Sequence, residues 1–567
     1  MKNLLSIILI LTVSILATPK QKITLDTGGH LLAVSSIQVT NDRDIISVSQ
    51  DKVIRVWDTF NKKLKRTILG EVGEDKKGNI KSIALSPNER FLVVGVLFNN
   101  DFDDNNLYGD IRVYDYQSGK IVKILHAHHK SVHNLAFSND GKFFISGEKS
   151  HNVKIWRVRD FTLVDSINLS NDIYGVKIIK KENNYFAIVI GLDNKIIMYD
   201  MQTKKIIKTK NTKDEPYALA ISNKYIVTSE LTKEIQVYDY DLNSIKTIKL
   251  DNRISEIAFS PNGRFLVAKS NKEEYIFDME TLKKVQTCNE VSSIANVYFL
   301  DNDNAISLGW NGKIYIWDIS SGEVIIILEG DEYKVYNIGI KGNNIGWTKK
   351  LRTKLSEYVK PKWSINLKNF KIKELSNLES QEFKEPLVKY KNYSLEYDNT
   401  NGLKLSRFNI KKDGKIISHR DSVGYFIYFG FYKNYIVSAS TYGIISFYSF
   451  EGKEILSLDD DYDGIFSIAI DGNRLVSSHI SGKINIWDLS KLKRDMKPMC
   501  SLFVSKYNEW IIWNSKGYYL SSKNGAKYLG FHINQGLNKE AKFIPITKYP
   551  NLNRPDIIKK ILGSNNK

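Results

Sequence analysis

Residues 312–318 read GKIYIWD, a short apolar run that ends in Trp317 and Asp318. The same phrase recurs along most of the chain: VIRVWD at 53–58, DIRVYD at 110–115, VKIW at 153–156, KIIMYD at 195–200, IQVYD at 235–239 and KINIWD at 483–488. Runs of this length, rich in Ile, Val, Tyr and Trp and bounded by turn residues, read as strands. The closing aromatics are Trp57, Tyr114, Trp156, Tyr199, Tyr238, Phe277 and Trp317, then Tyr448 and Trp487. Most neighbours lie about 40 residues apart, a period that predicts one small sheet per repeat. Such sheets are stable only when stacked on their neighbours, so the fold expected is all-β and radial.

The first repeat carries the fullest pattern. Gly29-His30 precedes Val34, a strand spans 45–49, a turn falls at Asp51, and Trp57-Asp58 closes the unit. These residues resemble the WD40 family of β-propellers. The resemblance implies a hydrogen-bonded set inside the blade, built from His30, a strand serine (Ser47 or Ser49), Asp51 and Trp57. A buried indole N–H and a buried imidazole need partners, and an aspartate accepts from both a histidine and its own turn. In the third repeat His128 takes the histidine position before Trp156, but the aspartate position holds Ser150. Trp317 closes the seventh repeat, and seven is the commonest closure in this family. Trp487 closes the last.

About eleven or twelve blade-like units are expected, too many for one ordinary ring. Two propellers in tandem are the reading, with seven blades in 21–330, a degenerate second set in 331–497, and a boundary near 325–335; a single larger ring is the alternative. Residues 330–430 lose the signature and read as degenerate blades plus a charged surface loop, with a helical insertion at 347–360 as the second choice. The strand at 21–28 is expected to complete the last blade, since closure removes an open sheet edge. Residues 498–567 read as an aromatic capping segment around Trp510, Trp513, Tyr518 and Tyr519, with His532 as a core or capping residue. This segment resembles the one that follows WD40 repeats in bacterial proteins joined to a caspase-like peptidase. Peptidase activity is not expected to carry over, since Cys500 lacks the glycine- and aspartate-rich context of its nucleophile.

Residues 1–17, MKNLLSIILILTVSILA, pair one lysine with an apolar run of signal-peptide length. They predict export to a bacterial periplasm or envelope, with a cut after Ala17; a membrane tether is the outcome if the signal is kept. Beyond it no membrane span is expected. The net charge of +19 invites nucleic-acid binding. Yet lysine is spread throughout with no run of five basic residues, so nucleic acid is not expected as a partner. The two cysteines, Cys288 and Cys500, have no metal spacing and read as buried hydrophobes.

Two acidic loops open like calcium loops. Asp101, Asp103 and Asn105 match the start of one, but the twelfth position is Arg112. Asp459, Asp461 and Asp463, followed by Gly464, match better, although the twelfth position is Ile470. These three aspartates are the metal candidates, and calcium is the one cofactor to consider. No catalytic constellation is present: the serine, histidine and aspartate of each blade occupy scaffold positions without a nucleophile elbow. The function expected is a non-enzymatic scaffold binding other proteins through its loop faces. The alternatives are a ligand- or calcium-binding propeller and an accessory subunit to a separately encoded peptidase.

Overall fold

The structure is a computed structural model that describes residues 21–70, 78–97, 109–148, 150–270, 273–288, 294–332, 334–349, 359–398, 405–423, 426–459, 463–494, 496–536 and 539–563. The calcium-like loop at Asp101–Asn105 and the apolar N-terminus lie outside these residues, as does most of the 347–360 stretch. Among the described residues the chain forms ten four-stranded sheets, one six-stranded sheet and one three-stranded sheet, all antiparallel. Within each four-stranded sheet the strands pair in chain order. The closing aromatics fall on the third strand, where they lie opposite the second: Ile45 faces Trp57, Phe144 faces Trp156 and Ala305 faces Trp317.

Seven sheets spanning 34–328 make a closed ring. Their innermost strands follow one another around a central channel. Closure comes from one apolar cluster that joins Val34, Ile37, Ile45 and Trp57 of blade one to Ile306, Leu308, Ile314 and Ile316 of blade seven. Each blade is apolar on both faces of its inner strands, so a neighbour on each side is the condition for its stability.

Four further sheets, blades eight to eleven, span 336–521. Apolar clusters join blade nine to ten, ten to eleven, and eleven to eight. Among the described residues no cluster joins eight to nine, so the second set is an arc with a seam. At that seam the free face of blade eight is covered by the chain itself. The helix α1 (Asn377–Gln381) starts on a capping box of Ser376 and Glu379. It leads to Phe383, whose ring lies on the strands of blade eight. Gly346 permits this contact, because a Cβ there would stand 2.8 Å from both Phe383 and Pro361. Residues 330–430 therefore hold two whole blades, with the outer strands of blade eight at Trp363–Asn366 and Ile372–Glu374.

The N-terminal strand departs from expectation. Gln21–Leu25 does not complete blade seven; it pairs with Leu529–Ile533, which pairs in turn with Lys542–Pro545. This small sheet is a clasp between the two sets of blades. On one side His532 Nε2 donates to the Gly70 carbonyl at 3.0 Å and Ala541 N to that of Leu69 at 3.1 Å. On the other, Leu25, Leu529, Phe531 and Ile546 pack on Phe503, Ile511, Trp513 and Tyr519. Trp510–Trp513 and Tyr519–Ser521 are the fifth and sixth strands of blade eleven. At the crossing of the linkers, Gly29 and Gly330 meet backbone to backbone; a Cβ on Gly29 would stand 2.1 Å from Gly330 N.

The eleven–eight contact is locked by Arg474, which is 5% exposed. Its Nη1 donates to the Gly342 carbonyl at 3.1 Å, and its Nη2 to that of Leu562 at 2.9 Å, at the end of helix α2 (Pro555–Gly563). The cation thus binds a blade-eight turn and the negative end of a helix at once. Arg474→Met is expected to destabilise the arc by about 2 kcal/mol. Amide hydrogen exchange over α2 and 336–348 should rise while that of the seven-bladed ring is unchanged.

Candidate functional site

Four blades share one internal relay, set by a serine ten residues before the tryptophan. Trp57 Nε1 donates to Ser47 Oγ at 2.7 Å, Trp156 to Ser146 at 2.9 Å, Trp317 to Ser307 at 2.9 Å and Trp487 to Ser477 at 3.0 Å. Blades closed by Tyr199 or Phe277 hold a valine at that position, as they present no indole N–H to satisfy. In blade one the relay continues from Ser47 to His30 Nε2 at 2.7 Å and from His30 Nδ1 to Asp51 at 2.9 Å. Ser49 is used separately: it donates to the Leu32 carbonyl and accepts from Asp51 N. Burial acts to raise the Asp51 carboxyl, but the adjacent His30 outweighs it and leaves Asp51 below the usual carboxylate range.

The other copies reach the same end with different residues. In blade three His128 bonds Ser146 at 2.7 Å, and Glu148 takes the aspartate's place by accepting from Lys130 N, Ser150 and Asn152. Burial holds the His128 imidazole below its ordinary pKa, so it is neutral near pH 7. In blade eleven the order is exchanged: His479, on the strand, bonds Ser477, and Asp463 accepts from Ser481 N and Oγ at 3.1 and 2.5 Å. Asp463, a metal candidate by sequence, is thus spent on the blade turn, while the side chains of Asp459 and Asp461 lie outside the described residues. Among the described residues no group of three His, Cys, Asp or Glu side chains is placed to hold a metal ion. Cys288 and Cys500 are both buried and unbridged, and burial pushes the Cys500 thiol up to about 12.

The relay builds blades; it does not face solvent. What opens outward is the channel of the closed ring, a cavity of about 1080 Å³. Its mouth is shaped by a recurrent β-bulge. In every blade of the ring the second residue of the innermost strand drops out of register: Ser35, Lys81, His133, Tyr174, Tyr217, Ser255 and Ala295. A bulge leaves one residue unpaired and re-aims its side chain. Strand order puts these seven positions at the same end of the ring as the His30 and Asp51 loops. Ser35, Lys81, His133, Tyr174 and Tyr217 line the cavity, with exposed Trp310 at its edge. Tyr174 and Tyr217 lie 4.9 Å apart, and the Arg253 guanidinium sits 4.5 Å over the Tyr217 ring. Sequence reading missed this ring; the only signal was its fixed place at the start of each inner strand.

Deeper in the channel, burial raises Glu256 to about 7, with Lys269 and Lys177 pulling against it. Burial in turn lowers Lys177. Between blades six and seven, Glu274 is 1% exposed and places both oxygens 2.8 Å from Ser307 Oγ, joining the blade-seven relay to its neighbour. Burial raises Glu274 to about 8 against the Ser307 bond and Lys269. A carboxyl whose pKa is raised on folding adds stability below its unfolded value, near 4.5, and loses it as pH climbs to about 8. The wild type is therefore expected to lose a few kcal/mol relative to Glu274→Gln between about pH 5 and pH 9, measured by urea unfolding.

Comparison with known proteins agrees with this geometry. Residues 20–58 and 119–157 match the family model described as WD domain, G-beta repeat. U3 small nucleolar RNA-associated protein 21 of Saccharomyces cerevisiae is 23% identical over 240 residues, 41% of this chain and 24% of that protein. The probable coatomer subunit beta' of Schizosaccharomyces pombe is 28% identical over 181 residues, 31% of this chain and 22% of its own length. Pre-mRNA-processing factor 17 of S. cerevisiae is 26% identical over 254 residues, 42% and 52% of the two chains. The chain therefore spans about a quarter of the length of the first two relatives. The fold is a β-propeller of WD40-like blades, and the segments 20–58 and 119–157 are the parts that match the WD40 repeat.

Proposed function

We propose that the chain is a non-enzymatic scaffold that holds a partner protein at the mouth of its seven-bladed ring. The observation that carries this reading is the ring of bulge residues. Five of these bulge residues, Ser35, Lys81, His133, Tyr174 and Tyr217, line one opening, and they carry hydroxyl, cationic, imidazole and phenol groups, as a surface adapted to one irregular partner requires. Tyr174, Tyr217, Arg253 and Trp310 supply the aromatic and guanidinium groups that dominate protein contacts. Lys81 and His133 are the titratable members of this ring, and the other titratable groups described above sit in blade relays or deeper in the channel. The relatives whose names place them with coatomer or RNA processing support assembly as the common theme and leave this partner open.

Export belongs to the same reading. It is supported by the signal-like pattern at residues 1–17. Among the described residues no helix is long and apolar enough to cross a membrane.

Affinity capture of the tagged, natively expressed protein after mild crosslinking tests both parts. The wild type should bring down a stoichiometric partner, and Tyr174→Ser/Tyr217→Ser should lose about tenfold or more of it with unchanged thermal unfolding. Equal recovery by the two forms would overturn the mouth as the site. The intact mass of the captured wild type should lack residues 1–17; a mass that includes them would overturn cleavage.

A further inference from the structure

A second cavity, which shares no lining residue with the channel, lies where the segment between the third and fourth strands of blade eleven meets helix α2. A cavity of about 370 Å³ opens there. Its floor is apolar: Met496, Met499 and Ile561. Its rim carries Lys491, Lys493 and Lys497. Lys491 is held by Asp488 at 3.5 Å, yet its side chain is 76% exposed. Lys493 and Lys497 are exposed and form no ion pair among the described residues. Arg494, Lys559 and Lys560, also exposed, extend the positive field around the opening.

The chain places the groups there for local reasons. The 3-10 turn Leu489–Lys491 is capped by Asp488, which accepts from Ser490 N at 3.1 Å and leaves Lys491 pointing outward. Met496 is pinned in the blade-eleven core beside Trp487, so the floor is fixed at one end. Helix α2 is fixed at the other by Arg474 and by burial of Ile558 and Leu562. Ile561, one residue from the buried Leu562, is thereby presented to the cavity. Methionine floors adapt to more than one apolar shape, and unpaired lysines around them favour an anionic neighbour.

We propose that this cavity docks an acidic segment of a partner protein, with apolar side chains on the methionine floor and flanking carboxylates against Lys493 and Lys497. The charge pattern selects acidic over basic or neutral segments. The floor separates this mode from plain electrostatic attachment to nucleic acid or an anionic membrane, which needs the lysines but no cavity. It deepens the scaffold reading by adding a second point of attachment, and it does not use the channel mouth.

The test is fluorescence anisotropy of the full chain with the labelled peptide DELFED and its control DESSED. DELFED should bind, and DESSED should bind about tenfold more weakly or worse. Lys493→Glu/Lys497→Glu should lose DELFED by about tenfold or more with unchanged thermal unfolding, since both lysines are exposed. Equal binding of the two peptides, or equal binding by the lysine variant, would overturn the proposal. So would displacement of DELFED by oligo-dT or by phosphatidylglycerol vesicles at lower concentration than by unlabelled peptide. The channel-mouth variant Tyr174→Ser/Tyr217→Ser should bind DELFED as the wild type does. Loss of the peptide by that variant would assign it to the mouth, overturning this second site while leaving the scaffold reading intact.

Discussion

A four-stranded blade has two apolar faces and cannot stand alone; the molecule depends on how each face is covered. In the first ring every face meets another blade, and the last meets the first through Val34, Ile37, Ile45 and Trp57 against Ile306, Leu308, Ile314 and Ile316. Side chains do this work, so no strand from the N-terminus is needed to zip blade seven shut. Gln21–Leu25 is thereby free to pair about five hundred residues away, with Leu529–Ile533. The second set, with four blades, solves the same problem differently. It covers one terminal face with α1 and Phe383. The other, on blade nine, is polar, with Lys411 paired to Glu396 and Arg407 to Asp421.

The tryptophan–serine relay is the signature of that constraint inside a blade. A tryptophan large enough to fill the gap between blades brings an N–H that must be satisfied, and a serine one strand away satisfies it. The histidine or glutamate behind the serine varies with the blade. His30, His128, Glu274 and His479 all serve, and Glu274 does so from the neighbouring sheet.

Much of this is legible in the sequence, for physical reasons. A third strand packed on both faces is apolar throughout and ends in a large aromatic, so it repeats visibly at 53–58, 153–156, 314–318 and 483–488. Blades eight and nine hide because their constraints are weaker. The third strand of blade eight has four residues, its buried Trp347 stands on the second strand instead, and blade nine keeps one polar face. The aspartate-to-Glu148 exchange and the role of Asp463 depend on side chains meeting across turns, which spacing alone does not disclose. The channel mouth is hidden for a further reason. Its residues share a backbone position and not a side-chain type, so Ser35, Lys81, His133 and Tyr174 carry no common pattern. Scaffold residues repeat because each blade needs the same thing, whereas the mouth positions answer to no such shared requirement.

The claim on which the account turns is that the chain ends meet in a clasp and that the first ring closes without them. The most direct measurement is disulfide trapping in the full-length protein, with peptides identified by mass spectrometry under non-reducing conditions. Ile23 faces Phe531 across the clasp. The pair Ile23→Cys/Phe531→Cys should therefore crosslink rapidly under mild oxidation, whereas Ile23→Cys/Ile327→Cys, which would place the N-terminal strand on the outer edge of blade seven, should not. Efficient trapping of the second pair and none of the first would mean that the N-terminal strand closes the ring after all, and would contradict the account.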